Sequence, residues 1–146
     1  MPATGAPGER PPRADQIAMP VIRFEDAPRT ENVQGRHVRH CAPKLGSAEI
    51  LMGRTTKEPG PCAPYIHKHD HEDVIVMLRG SFTLRVGDEE VTICDGDTLI
   101  IPPDTVHTPV AAGPEGCELI GMCVADIRSF EPDGTEIGVG FESLSK

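Results

Sequence analysis

The chain predicts an all-β domain of short strands, and three observations carry that prediction. Fifteen glycines and fifteen prolines among 146 residues scatter turn and break signals along the chain, which leaves little room for uninterrupted helix. Between those breaks the apolar residues fall in short runs, and Phe82, Leu84 and Val86 alternate along one strand face. No long amphipathic helical period competes with them. Aromatic residues make up only 3% and tryptophan is missing, so the core must be built from Val, Ile, Leu and Met.

The elements follow in order. Residues 1–18 are rich in Pro and Gly and poor in apolar side chains, which predicts a flexible tail. Residues 19–146 are short enough to be a single domain. Apolar character begins at residues 21–24, and strands are expected at residues 36–41, 48–55 and 65–69. Residues 73–78 are nearly all apolar, so this strand should be buried on both faces. Arg79-Gly80 is read as a turn into a strand at 81–86, and Gly87-Asp88 as a hairpin turn into 90–94. Asp95-Gly96-Asp97 turns the chain into 98–101. Pro102-Pro103-Asp104 then interrupts the ladder, because proline has no amide donor. Further strands are expected at 106–110, at 118–124 and, weakly, at 137–141. About nine short strands at regular intervals describe a sandwich or a barrel.

Charge narrows the function. A net charge of -9 and a pI near 5.0 argue against a nucleic-acid groove, which needs a clustered basic face. The densest basic segment, Arg36-His37-Val38-Arg39-His40 with Lys44 nearby, reads as a strand with a solvated polar face. No apolar run is long enough to span a bilayer. Residues 1–13 lack the apolar core of a signal peptide, so a cytoplasmic location is expected. The five cysteines show no Cys-x-x-Cys spacing and are expected to be reduced. Cys62 lies closest to the segment discussed next.

That segment is His67-Lys68-His69-Asp70-His71-Glu72-Asp73. Residues two apart on a strand point the same way, so His67 and His69 project together. Asp73 offers a carboxylate four residues beyond His69, and His107 follows the proline-broken turn. Three imidazoles and a carboxylate form a set that binds Fe(II), Mn(II), Ni(II) or Zn(II). His71 shares the strand parity of His67 and His69 and is an alternative ligand if the strand continues.

The two halves of this set resemble the paired motifs of the cupin superfamily. The first appears as His67-x-His69, then Asp73, then Gly80 after six residues; the second appears as Gly96, Pro102, Asp104 and His107. Fifteen residues separate Gly80 from Gly96, and the resemblance covers residues 60–111. It departs from the family pattern in four places. Asp73 stands where glutamate is usual, Asp104 replaces a glycine, Ala111 replaces a frequent asparagine, and Gly60 is displaced by one residue. The resemblance implies a double-stranded β-helix, a jelly-roll-like barrel with the divalent metal held by His67, His69, Asp73 and His107 in its mouth.

Two kinds of chemistry suit such a site. With Fe(II), a mononuclear non-haem oxygenase acting on a small, mostly apolar substrate is expected first. With Zn, Mn or Ni, the ion acts as a Lewis acid in an isomerase, a polyketide-type cyclase or a lyase. A non-catalytic ligand-binding protein of the same fold is the third reading. Arg54 is read as an inward cation able to fork onto a carboxylate or enolate, and Tyr65 as a proton donor or acceptor at the mouth. Ile75 and Met77 should turn inward with Asp73, facing a far wall of either Ile120 and Met122 or Leu119 and Gly121. The expected partners are a small-molecule substrate and, through apolar segments at 21–24 and 137–141, a second copy in a homodimer; neither nucleic acid nor membrane is expected.

Overall fold

The computed structural model of the chain describes residues 19–139. The expected tail at 1–18 and the end of the expected strand at 137–141 lie outside the described residues. Helix among the described residues is confined to two 3-10 turns, Phe24–Asp26 and Pro43–Leu45. The strands are β1 (Arg29–Asn32), β2 (Gly35–Cys41), β3 (Ile50–Lys57), β4 (Gly60–Pro61), β5 (Lys68–His69) and β6 (Asp73–Val86). They continue with β7 (Glu89–Cys94), β8 (Thr98–Ile101), β9 (His107–Val124), β10 (Arg128–Phe130) and β11 (Glu136–Val139). All pairings are antiparallel. One sheet runs β1-β2-β3-β9-β6-β7, with β4 on β9 and β8 on β6, and a smaller sheet runs β11-β10-β5. This is the all-β, jelly-roll-like architecture.

Several elements differ from expectation. β6 is one strand where a turn at Arg79-Gly80 divides it in the sequence reading, and β9 likewise joins the two strands expected at 106–110 and 118–124. The physical reason is a bulge. The β6–β9 register shifts between Met77 and Arg79 and again between Gly80 and Phe82, so the chain kinks without reversing. Gly80 supplies the positive φ of 84° that the kink requires. Residues 21–24 form no strand; Phe24 opens a 3-10 turn instead, and the first strand is the polar β1. The strand expected at 65–69 shortens to β5, with His67 held by an isolated bridge. The segment 73–78 is buried on one face only: Ile75 and Met77 are in the core, while Leu78 is 40% exposed.

Parity and register sort the side chains of the large sheet. Ile75 of β6 stands opposite Gly121 of β9, Gly121 opposite Gly53 of β3, and Gly53 opposite Arg39 of β2. This face is the inner one, since Met77, Leu119, Leu51 and Cys123 on it are buried. The core cluster is Ile75, Met77, Phe82, Leu84, Ile93, Ile101, Ala112, Cys117 and Leu119. The far wall opposite Asp73 therefore belongs to Leu119 and Gly121. Ile120 and Met122 face outward with Met52 and Arg54.

Candidate metal centre

His67 and His107 come together through the main chain. Each amide donates to the other's carbonyl, His67 N to His107 O at 3.1 Å and His107 N to His67 O at 2.8 Å. His69 sits two residues on, where β5 pairs with β10 and Ser129 lies opposite it. The loop before β9 is pinned to the same strand by Asp104, whose amide donates to the His69 carbonyl at 2.7 Å. Asp104 adopts a positive φ of 57°, the left-handed conformation otherwise suited to glycine and tolerated by aspartate.

The rings converge. One ring nitrogen from each of His67, His69 and His107 lies within 4.8 Å of the others, a grouping that can hold a metal ion. His67 Nδ1 donates to the Tyr65 carbonyl at 2.7 Å, and His107 Nδ1 donates to the Thr105 carbonyl at 2.9 Å. A carbonyl only accepts, so the proton of each ring sits on Nδ1 and the Nε2 lone pair is left for a cation. His69 Nδ1 is hydrogen-bonded to Ser129 Oγ at 2.9 Å, which turns its Nε2 to within 3.1 Å of His67 Nε2. Two nitrogens bound at right angles about 2.1 Å from one ion stand about 3 Å apart, so this pair fits adjacent ligand positions. Outward hydrogen bonds of this kind orient the ligands of a metal site and raise their basicity.

Electrostatics agrees with the donor set. Burial lowers the His67 pKa to about 2, with the neighbouring His107 ring adding to the effect. Burial and His107 also lower His69 to about 4, and burial lowers His107 itself. The imidazoles are therefore neutral near pH 7, the form a metal needs. Asp73 Oδ2 is 3.8 Å from His69 Nε2, and burial pushes its carboxyl up to about 7. It borders the histidines without joining the converging trio.

The other expected residues fall as follows. Tyr65 packs its ring edge-on against His67, with centroids 4.0 Å apart, and lends His67 its carbonyl. Arg54 does not reach the histidines: it projects from the outer face of β3, donates to Glu118 Oε1 at 3.0 Å and lies over the Phe24 ring. The inward role expected of Arg54 is thus corrected, and Arg39, one strand over and of opposite parity, takes that position. The basic segment around it is not simply a solvated face, since His37 and Arg39 point inward. His71 is exposed and paired with Asp70 at 2.9 Å, away from the trio. Cys62 is half-buried against the core, and all five cysteines are free thiols. Ser129 and Thr105 escape sequence reasoning. Ser129 is sixty residues from the histidine it orients and Thr105 acts through its main chain, so neither leaves a spacing signal.

Among the described residues no helix is long and apolar enough to cross a membrane. No curated protein matches the chain in sequence. Among solved structures, the polyketide cyclase RemF from Streptomyces resistomycificus is similar with a TM-score of 0.62 and 18% identity, over 75% of this chain and 82% of that one. An RmlC-like cupin from Shewanella frigidimarina is similar with a TM-score of 0.58 and 21% identity, over 71% and 88%. An oxalate decarboxylase variant from Bacillus subtilis gives 0.64 and 20%, over 86% of this chain and 34% of its own. At such identities the likeness speaks for the fold alone. The family model described as Cupin domain matches residues 53–124, the stretch that carries His67, His69, Asp73 and His107. With that match, the fold and the clustered histidines, the chain belongs to the cupin superfamily.

Proposed function

We propose that the chain is a metal-dependent enzyme in which His67, His69 and His107 hold one divalent transition-metal ion, and that it is a mononuclear non-haem iron oxygenase acting on a small organic substrate. The observation that carries the reading is the hydrogen bonding of all three Nδ1 atoms, to the Tyr65 and Thr105 carbonyls and to Ser129 Oγ, with one ring nitrogen of each histidine within 4.8 Å of the others. Fe(II) held by imidazoles alone supplies dioxygen chemistry at its open positions. Tyr65 and Ser129 are positioning residues, acting through His67 and His69. Asp73 stands ready as a fourth ligand or as a proton carrier beside the site.

A second reading has its own support. The Asp73 carboxyl sits at about 7 by burial, where a group exchanges protons readily with substrate. With Zn, Mn or Ni this suits a redox-neutral cyclase, isomerase or lyase, in which the ion polarises a carbonyl. The similarity of fold to a polyketide cyclase is in keeping with it.

Metal analysis of protein purified without added metal, followed by oxygen-uptake traces with candidate substrates, separates the two. Iron with substrate-dependent uptake is the expected result; zinc, manganese or nickel with turnover and no uptake would transfer the assignment to the second reading. His107→Ala should lose metal while His40→Ala keeps it, and Ser129→Ala should weaken metal affinity about tenfold. Wild-type protein that takes up no divalent ion would sink both.

A further inference from the structure

Lys57 is a buried amine that the metal centre does not use. It closes β3 on the inner face, in line with Gly53 and Thr55 and opposite the fully buried Cys117 of β9, and is only 9% exposed. Lysines are rarely buried to this degree unless an acid pairs with them. Among the described residues none does, and Glu58, the acid next in sequence, is taken by Arg36 at 3.0 Å. Lys57 Nζ instead donates to the Gln34 carbonyl at 2.6 Å, with Gln34 Oε1 3.4 Å away. It stands 5.2 Å from the centroid of the Phe82 ring.

The turn between β1 and β2 is built around this amine. Gln34 is fixed by Asn32 Oδ1, which accepts from its amide at 2.8 Å, and by the Ala63 carbonyl, which accepts from its side chain at 3.0 Å. A Cβ on Gly35 would overlap the Thr56 carbonyl and stand 3.5 Å from Lys57 Cγ, so glycine lets the turn close over the lysine stem. Burial without a counter-charge penalises the ammonium form and lowers the Lys57 pKa, against the opposing pull of the Cys62 and Cys117 thiols. A neutral amine carries a lone pair, and desolvated lysines of this kind attack carbonyl carbon.

Access comes from a cavity of about 210 Å³ lined by Lys57, Gln34, Thr56 and Cys62, among others, and by none of the three histidines. Such a volume admits a compound of only a few heavy atoms.

We propose that Lys57 is a covalent capture site for small aldehydes, which enter this cavity and condense with its amine to an imine. The nitrogen lone pair forms a bond to the carbonyl carbon, and the carbonyl π pair goes to oxygen. Both amine hydrogens then leave with that oxygen as water while the C=N bond forms, so nothing is oxidised or reduced. Water hydrolyses imines, and the burial that frees the amine also shields the product. The site stands independently of the metal-dependent reading above.

Treating the folded full chain with propanal and cyanoborohydride at pH 7, which fixes each imine as a propylamine, tests the site by peptide mass spectrometry. Lys57 should gain its propyl group at least about fivefold faster than the exposed Lys44, because an ordinary lysine is less than about 0.1% neutral at that pH. In concentrated urea the two should label at equal rates, which ties the preference to the fold. Cys62→Met, which takes up cavity space, should slow Lys57 and leave Lys44 unchanged. Labelling of Lys57 no faster than Lys44 in the folded chain would overturn the proposal, as would a preference that survives urea. A Cys62→Met variant that folds by circular dichroism and labels Lys57 at the wild-type rate would overturn it too. Should that variant fail to fold, the two wild-type measurements decide alone.

Discussion

At the scale of the residue, the site depends on where each imidazole keeps its proton. Backbone carbonyls of Tyr65 and Thr105 fix two of the tautomers, and a buried Ser129 bonds the third ring. The consequence for pH has a definite sign. His67 and His69 fall from an ordinary 6.5 to about 2 and about 4 on burial. The unfolded chain therefore takes up protons below 6.5 that the folded chain refuses, and stability falls as pH drops through that window. Asp73, raised from 3.8 to about 7, works in the opposite direction. The folded state holds its proton between those values and gains stability toward acid. With His107 lowered as well, three histidines outweigh one carboxyl. Metal-free protein should thus unfold at lower urea concentration at pH 5 than at pH 7.5; an equal or higher midpoint at pH 5 would contradict the assigned shifts.

At the scale of the element, strands with alternating apolar residues were legible and their boundaries were less so. β7 and β8 fall nearly where alternation and the Gly87 and Gly96 turns put them. β1, Arg-Thr-Glu-Asn, has no apolar alternation to read; it exists because its main chain pairs with β2. Gly80 misleads for a physical reason, since the same positive φ serves either a reversal or a bulge, and only the partner strand selects between them. A Cβ at Gly80 would overlap the Gly116 carbonyl, so the bulge has no room for a side chain. Gly80→Ala should cost about 1–3 kcal/mol, strain and displacement together, measured as a shift in the urea midpoint with unchanged slope. A variant as stable as the wild type would show that the bulge relaxes freely.

At the scale of the whole molecule, the outer face of the large sheet presents a row of apolar side chains. Met52, Met122, Val74 and Ile100 stand opposite one another across β3, β9, β6 and β8. Met122 is 37% and Ile100 55% exposed. The homodimer expected from the sequence would be served by this face rather than by residues 21–24, which form no strand. Sedimentation should find a dimer at micromolar concentration that Met122→Lys dissociates; monomeric wild-type protein would exclude it. The sequence by itself determined the all-β class, the paired histidine motifs and their family, because periodicity and spacing are properties of the chain. Only the tertiary structure decided that Arg39 rather than Arg54 faces inward and that Ser129 holds His69. Each of these depends on strand register, and one residue of register reverses every side chain from one face of a sheet to the other.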